Sequence, residues 1–368
     1  MKALITGAKG FLGKNLSATL ERLEGIQLLP YDVDTDPALL HAYAGECGFV
    51  FHLAGVNRPD DMAQYSENAA FTQRLLEELA GCMSKAPIVY ASSIQAAMDT
   101  PYGQSKRAAE DLLFAYGKAH SVPVYVYRLT NLFGKWSRPN YNSVVATFCH
   151  SVARGLPIAI HDPGARLELT YVDDVVAEFM SAMLGTAREK GPYCSVEPVH
   201  EVTVGRVAEL IDSFRESREA HSLPDMGDPF TRALYATYLS CLPEDGFSRA
   251  LTVHADHRGS FAELFRTADR GQFSINIIKP GTVKGNHWHH TKNEKFIAIS
   301  GWGVIRLRKA GDTRVLEYHV KGEAPEAVDI PPGYAHSILN LGSTDMAVVM
   351  WASENYDPLK PDTYYMEV

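Results

Sequence analysis

At 368 residues, with 46% hydrophobic and 21% charged positions, the chain has the composition of an ordinary globular protein and the length for two cores. Its formal net charge of −9 argues against a nucleic-acid binder and against an anionic membrane surface, so a phosphorylated ligand must find local donors. No run of about eighteen apolar residues offers a membrane span, and the opening Met1 to Gly7 leaves no room for a signal peptide.

Ala3, Leu4 and Ile5 form a short apolar strand that runs into glycines at 7, 10 and 13, and Leu16, Leu20 and Leu23 then repeat at helical spacing. Strand, glycine turn and helix in that order set helix N-terminal amides against a pyrophosphate. A second strand from Ile26 ends at Asp32, 25 residues after Gly7. Such an acid bonds the adenosine ribose hydroxyls and favours NAD, whereas Lys9 could meet the 2′-phosphate of NADP, so these residues leave the cofactor open. A third strand, Phe49 to His52, ends in Leu53, Ala54 and Gly55, small enough at its tip for a ligand to approach the backbone.

The fourth strand, from Ile88, ends in Ser92 and Ser93, and Pro101 then opens a helix. Tyr102 and Lys106 are four apart and share one helical face. A phenol of reference pKa about 10 needs a cation to work near neutrality. Lys106 is the expected cation, with Ser93 to hold a substrate carbonyl and Tyr102 to pass a proton to it as hydride arrives. The five cysteines (47, 82, 149, 194 and 241) are scattered and unpaired in sequence, as buried free thiols of a cytoplasmic protein would be.

Residues 1–245 resemble the extended short-chain dehydrogenase/reductase family. The matching motifs are Thr6, Gly7, Gly10 and Gly13, then Leu53–Ala54–Gly55, Ser93, and the Tyr102–Lys106 pair. The resemblance implies a Rossmann-type doubly wound parallel sheet with Phe11, Leu12 and Leu129 also against the cofactor. Arg128 to Gly134 resembles the segment these enzymes place beside the nicotinamide, and it suggests a substrate contact at Asn131. Tyr171 to Val175 resembles a helix opening of the sugar-nucleotide branch, and by that likeness Arg166 could meet a diphosphate. The 4,6-dehydratases of the family follow the catalytic hydroxyl with an Asp-Glu pair. Here Ile94 and Gln95 stand there, which disfavours water elimination and leaves carbonyl reduction or C4 epimerisation.

Residues 213–231 are polar and helical in pattern, then broken by Pro224, Gly227 and Pro229. The domain boundary is expected near Glu244 to Gly246, giving domains 1–245 and 246–368. Beyond it, short apolar runs alternate with turns, an all-β pattern. His287 and His289 are two apart, so on a strand they leave one face; Glu294 follows after a turn, and His336 lies in a later strand. Three imidazoles and a carboxylate suit Zn²⁺, with Mn²⁺ or Fe²⁺ as lesser options. Trp288 and His290 fall on the opposite face.

Asp256, Arg258, Gly259, Phe261 and Glu263 resemble a segment of the cupin-fold 4-keto-sugar-nucleotide epimerases. Gly281, His287, His289, Glu294 and Gly301 match the first cupin motif, and Pro331, Gly333, His336 and Asn340 the core of the second. That likeness implies a jelly roll and carries over His287, His289, Glu294 and His336 as ligands. In metal-free epimerases of this type the first histidine is the base; here it is committed to the ion.

Both domains in this order resemble the CapF-type enzymes of capsular and O-antigen polysaccharide synthesis. The resemblance implies C3 epimerisation of UDP-2-acetamido-2,6-dideoxy-β-L-arabino-hexos-4-ulose in the cupin. Reduction of C4 with NADPH would then give UDP-2-acetamido-2,6-dideoxy-L-talose. It also implies zinc and a homodimer. Three rivals are a reductase whose cupin only braces or binds sugar, an iron oxygenase, and a nucleotide sensor; the last sits poorly with an intact Tyr102–Lys106 pair.

Overall fold

The computed structural model describes residues 1–59 and 61–368, which pack as two units: Met1–Asp212 with Ala233–Pro243, and Ser213–Arg232 with Glu244–Val368. Among the described residues, no helix is long and apolar enough to cross a membrane.

The first unit alternates strand and helix. Its elements run β1 (Lys2–Thr6), α1 (Phe11–Leu20), β2 (Gln27–Tyr31), α2 (Leu39–Glu46), β3 (Phe49–His52), α3 (Ser66–Gly81), β4 (Ile88–Ser93) and α4 (Pro101–His120). They continue with β5 (Val124–Leu129), β6 (Asn131–Phe133), α5 (Val144–Ala153), β7 (Arg166–Tyr171), α6 (Val172–Met183), β8 (Glu189–Lys190), β9 (Tyr193–Cys194) and β10 (His200–Thr203). Helices α7 (Val204–Glu219) and α8 (Pro229–Ser240) follow, and the stretch Ser213–Arg232 within them belongs to the second unit.

The main sheet has the order β2-β1-β3-β4-β5-β9-β8 and is parallel from β2 to β9. Its central strands bury both faces, so alternate residues feed two cores. Leu4, Val50, Ile88, Tyr90 and Val126 enter one; Ala3, Ile5, Phe51, Val89 and Tyr127 enter the other. A smaller sheet, β10-β7-β6, lies beyond β5 in the chain. Two expectations change here. Helix α1 stops at Leu20, and Leu23 is exposed in a turn that Gly25 closes with φ +78°. Of the five thiols, Cys82 and Cys241 are only partly buried; each directly follows the end of a helix, Cys82 as the cap of α3.

In its 244–368 portion the second unit is built from strands after a single 3-10 turn at Glu244–Gly246. It comprises β11 (Val253–Asp256), β12 (Gly259–Arg266), β13 (Gln272–Ile278), β14 (Val283–Trp288), β15 (Glu294–Ser300) and β16 (Trp302–Lys309). Then come β17 (Val315–Lys321), β18 (Ala327–Ile330), β19 (Tyr334–Asn340), β20 (Met346–Ala352) and β21 (Tyr364–Tyr365). Two antiparallel sheets form, in the orders β11-β12-β13-β20-β15-β18 and β17-β16-β19-β14-β21. Ile278, Phe296 and Val348 from the first sheet share one core with Ile305, Leu307 and Ile338 from the second. Burial along β13 alternates residue by residue, as expected of strands with one face inward.

Candidate active site and metal centre

In the first unit the carboxyl ends of the parallel strands open on a cavity of about 900 Å³. This is where open α/β sheets bind ligands. The glycine turn forms one wall. Gly7 has φ +71°, and a Cβ on Gly13 would lie 2.2 Å from the Gly7 carbonyl oxygen, so only glycine lets turn and helix close together. Gly10 caps α1 without a side-chain bond, and the first turn holds no acid, so the helix dipole faces the cavity unopposed. These features fit a dinucleotide's diphosphate.

Asp32 follows β2 directly. Its carboxylate accepts from the backbone amides of Lys9 at 2.7 Å and Val33 at 2.9 Å, which ties the second strand end to the turn. The Lys9 ammonium turns instead to Asp34, and each holds the other in its charged form at an exposed site. Leu53, Ala54, Gly55 and Leu129 complete this wall with Phe11 and Leu12.

Tyr102, Lys106 and Ser93 line the same cavity. Thr100 caps α4 by accepting from Gly103 N at 3.0 Å, and Pro101 enters at the first helical position, which fixes where Tyr102 projects. The phenol donates to Asn57 Oδ1 at 2.9 Å. Burial pushes Tyr102 up to about 12, opposed by a hydrogen bond with Ser93. Lys106, expected to bring the phenol down, does not offset that rise; its Nζ bonds the Ala91 carbonyl at 2.9 Å and sits 4.9 Å from the Tyr90 ring centroid. Burial lowers Lys106 to about 8, with Glu110 working the other way.

Glu110, one turn along α4 and 1% exposed, accepts from Arg128 Nη2 at 2.6 Å and from Ser92 Oγ. Asn131 is exposed on β6 and lines the cavity. Arg166 does not line it: Asn131 pairs with Leu169, so Arg166 sits three residues, about 10 Å, down β7. Asn57 and Glu110 escaped the sequence reading. The first sits in the stretch after Gly55, where a polar residue facing the cavity could have been suspected; a lone Glu on a helix gives no such signal.

The second unit holds a separate cavity of about 650 Å³. His287, His289 and Glu294 line it, and with the fully buried His336 each offers one ligand atom, all within 4.8 Å of one another. Among the described residues no other group of three or more His, Cys, Asp or Glu meets this spacing. The strands explain the convergence. His287 near the end of β14 pairs with His336 on β19 across an irregularity between Gly285 and His287, His289 follows just past the strand, and Glu294 opens β15. Glu294 Oε2 lies 3.4 Å from His289 Nε2 and 3.2 Å from His336 Nε2.

His289 is 3% exposed and His336 fully buried. Yet His289 Nε2, both His336 ring nitrogens and Glu294 Oε2 are buried without a hydrogen-bond partner. Four unsatisfied buried polar atoms in one cluster fit a cation better than an empty core. Burial works to raise Glu294, but the His289 and His336 rings outweigh it and hold the carboxyl well below its usual range. Burial and the neighbouring His336 push His287 down to about 4, so its imidazole is neutral near pH 7.

His289 Nδ1 donates to the Asp362 carbonyl, which leaves the Nε2 lone pair facing the cluster. The Asp362 carboxylate accepts from the amides of His290 at 2.9 Å and of Thr291 and Lys292 at 3.0 Å each. This support lies 73 residues from His289 and had no signal in the sequence. Trp288 and His290 both pack on Tyr364, tilted at 5.2 Å and edge-on at 4.9 Å between centroids. Lys284 enters the cavity beside the cluster, bonded to Asn276 Oδ1 at 2.7 Å.

Residues 3–194 match the NAD dependent epimerase/dehydratase family, and residues 254–364 match the polysaccharide biosynthesis C-terminal domain. A UDP-2-acetamido-2,6-beta-L-arabino-hexul-4-ose reductase of Pseudomonas aeruginosa is 44% identical over 369 residues, covering 100% of this chain and 99% of that protein. The crystal structure of the capsular polysaccharide assembling protein CapF from Staphylococcus aureus superposes with a TM-score of 0.94 at 47% identity, over all of both chains. CapF with the inhibitor 3-isopropenyl-tropolone gives 0.88 at 43% identity, again over both full chains. The first unit is thus a nicotinamide-dependent enzyme of the epimerase/dehydratase class. The chain as a whole belongs to the CapF-type family of capsular polysaccharide enzymes.

Proposed function

We propose that the chain performs two steps on one UDP-sugar: residues 246–368 act as a cupin epimerase and residues 1–245 as a ketone reductase. The substrate is UDP-2-acetamido-2,6-dideoxy-β-L-arabino-hexos-4-ulose, inverted at C3 and then reduced at C4 with NADPH to UDP-2-acetamido-2,6-dideoxy-L-talose. One observation carries this reading: two separate cavities, one with Tyr102 and Lys106 beside a diphosphate cradle, the other with a buried three-histidine, one-carboxylate cluster. Likeness to the Pseudomonas aeruginosa reductase along the full length supports the substrate.

In the reductase cavity Tyr102, raised to about 12, carries its proton at neutral pH, the state needed to protonate a ketone oxygen during reduction. Ser93 holds that oxygen, and Lys106 supplies positive charge below it. NADPH contributes the hydride. Lys9 and Arg74 on the cavity wall favour a 2′-phosphate, whereas Asp32 opposes it. In the second cavity His287, His289, Glu294 and His336 would hold Zn²⁺, which supplies Lewis-acid stabilisation to a carbanion next to the ketone. His287 is thereby lost as a base, and Lys284 and Lys292 are unassigned cations in the cavity wall.

The keto-sugar in D₂O without nicotinamide tests the reading. Deuterium should enter C3 by NMR, and adding NADPH should then consume one equivalent of ketone. No exchange above the uncatalysed rate, with reduction intact, would leave a reductase with a bracing second unit.

A further inference from the structure

Gly134 to Ser143 joins β6 to α5 and contains a backbone anomaly. Trp136 has φ +68°, a left-handed conformation that a bulky residue rarely adopts. Its side chain is 53% exposed, so core burial does not hold it there. Residues that keep such backbone strain cluster at ligand clamps and active sites.

The surroundings show where the segment runs. At its start the Lys135 carbonyl accepts from Asn15 Nδ2 on α1 at 3.2 Å, and Lys135 Nζ is tied to Asp173 at 2.5 Å. Further on, Tyr141 lies close enough to Tyr102 to bear on its titration. Trp136, Ser137, Arg138 and Tyr141 line the same cavity as the glycine turn. The segment therefore spans from the helix of the diphosphate cradle to the proton donor. A dinucleotide with its diphosphate on α1 and its nicotinamide beside Tyr102 must follow that path. Ser137 Oγ is buried without a partner, an unmatched hydrogen-bonding group on the path.

We propose that residues 135–141 are a clamp on the nicotinamide half of the bound dinucleotide, with the Trp136 indole packed on it and Ser137 Oγ bonded to it. This rests on the nicotinamide reading of the first cavity. The strained backbone presents the indole toward the ligand before binding, which lowers the ordering cost of association. The Asn15 bond and the Lys135–Asp173 pair hold the clamp's base.

Of the four tryptophans, Trp136 alone precedes residue 246, which gives the test an optical handle. Wild type, Trp136→Phe and Trp136→Gly are titrated with NADPH by calorimetry, while energy transfer from indole to the dihydronicotinamide is recorded. Removing the stacked ring in Trp136→Gly should weaken NADPH about tenfold, with Trp136→Phe retaining most affinity. Most of the transfer signal should vanish in both variants. The melting temperature of Trp136→Gly without ligand should hold or rise, because glycine accepts φ +68° without strain.

Unchanged NADPH affinity in Trp136→Gly would overturn the clamp, as would a loss of affinity that merely tracks a fall in melting temperature. A Trp136 signal that answers to UDP alone and ignores NADPH would also overturn it, by assigning the indole to the sugar nucleotide. No NADPH binding to wild type would remove the nicotinamide reading itself and the clamp with it.

Discussion

The two cavities are built on opposite plans. In the first unit, chain path does most of the shaping: a glycine turn, three strand ends and a helix terminus make the cradle, and Tyr102 and Lys106 add chemistry from a single helix. In the second, side chains from three strands and an adjoining turn meet at one point, and their meeting depends on register. The irregularity at Gly285 to His287 sets His287 opposite His336, and a slip of one residue would turn one of them to the other face. A cradle made of backbone tolerates side-chain change nearby; a cluster made of register does not.

The largest effect should come from Tyr102→Phe, which removes the proposed proton donor while leaving the cradle intact. NADPH-dependent reduction should fall about 10²–10⁴-fold. C3 exchange in D₂O should be unaffected, and a parallel loss of both would break the separation of the two sites.

Next, Asp362→Ala should strip the amides of residues 290–292 of their acceptor and lower metal affinity about 10–100-fold, read by chelator competition, with reduction unchanged. Retained affinity would mean that the cluster does not need the carboxylate's hold on the turn, the Asp362 carbonyl beside His289 being kept in this variant. Asn57→Ala frees the Tyr102 phenol of its partner, and a neutral hydrogen bond of this kind is worth about 1 kcal/mol, so kcat should change several-fold with the melting temperature steady.

The gentlest test is pH. Lys106 falls from 10.5 to about 8 on burial, so reduction should decline as pH rises through that value. Stability moves the other way. Between about 8 and 10.5 the unfolded chain keeps a proton that the folded chain has shed, so this group adds stability with rising pH. Rate and denaturant profiles on one sample should diverge across that window; a rate indifferent to it would take Lys106 out of the chemistry.

What could be seen in the sequence follows the same divide. Gly7, Gly10 and Gly13, Tyr102 with Lys106, and His287 with His289 were visible because each constraint acts over a few residues. Glu294 and His336 were legible as residue types suited to an ion, and the cupin pattern then fixed their place in the set, since strand pairing brings them in. Hidden altogether were groups whose partners lie far along the chain: Glu110 under Arg128 and Ser92, Asn57 on Tyr102, and Asp362 beneath His289. The expectation that Lys106 would lower the Tyr102 phenol failed for a related reason. Spacing places two side chains on one helical face, but burial is the largest influence on how each titrates.

Asp362 has one more consequence. A ribosome making this chain delivers His287, His289, Glu294 and His336 well before it delivers Asp362, and β21, which pairs with His287 and Trp288, comes later still. A nascent chain stalled in between would own every ligand and still lack the carbonyl that orients one ring and the carboxylate that shapes the adjoining turn. On the proposed reading, termination between residues 336 and 362 should yield a protein that keeps the reductase activity but holds a metal ion weakly.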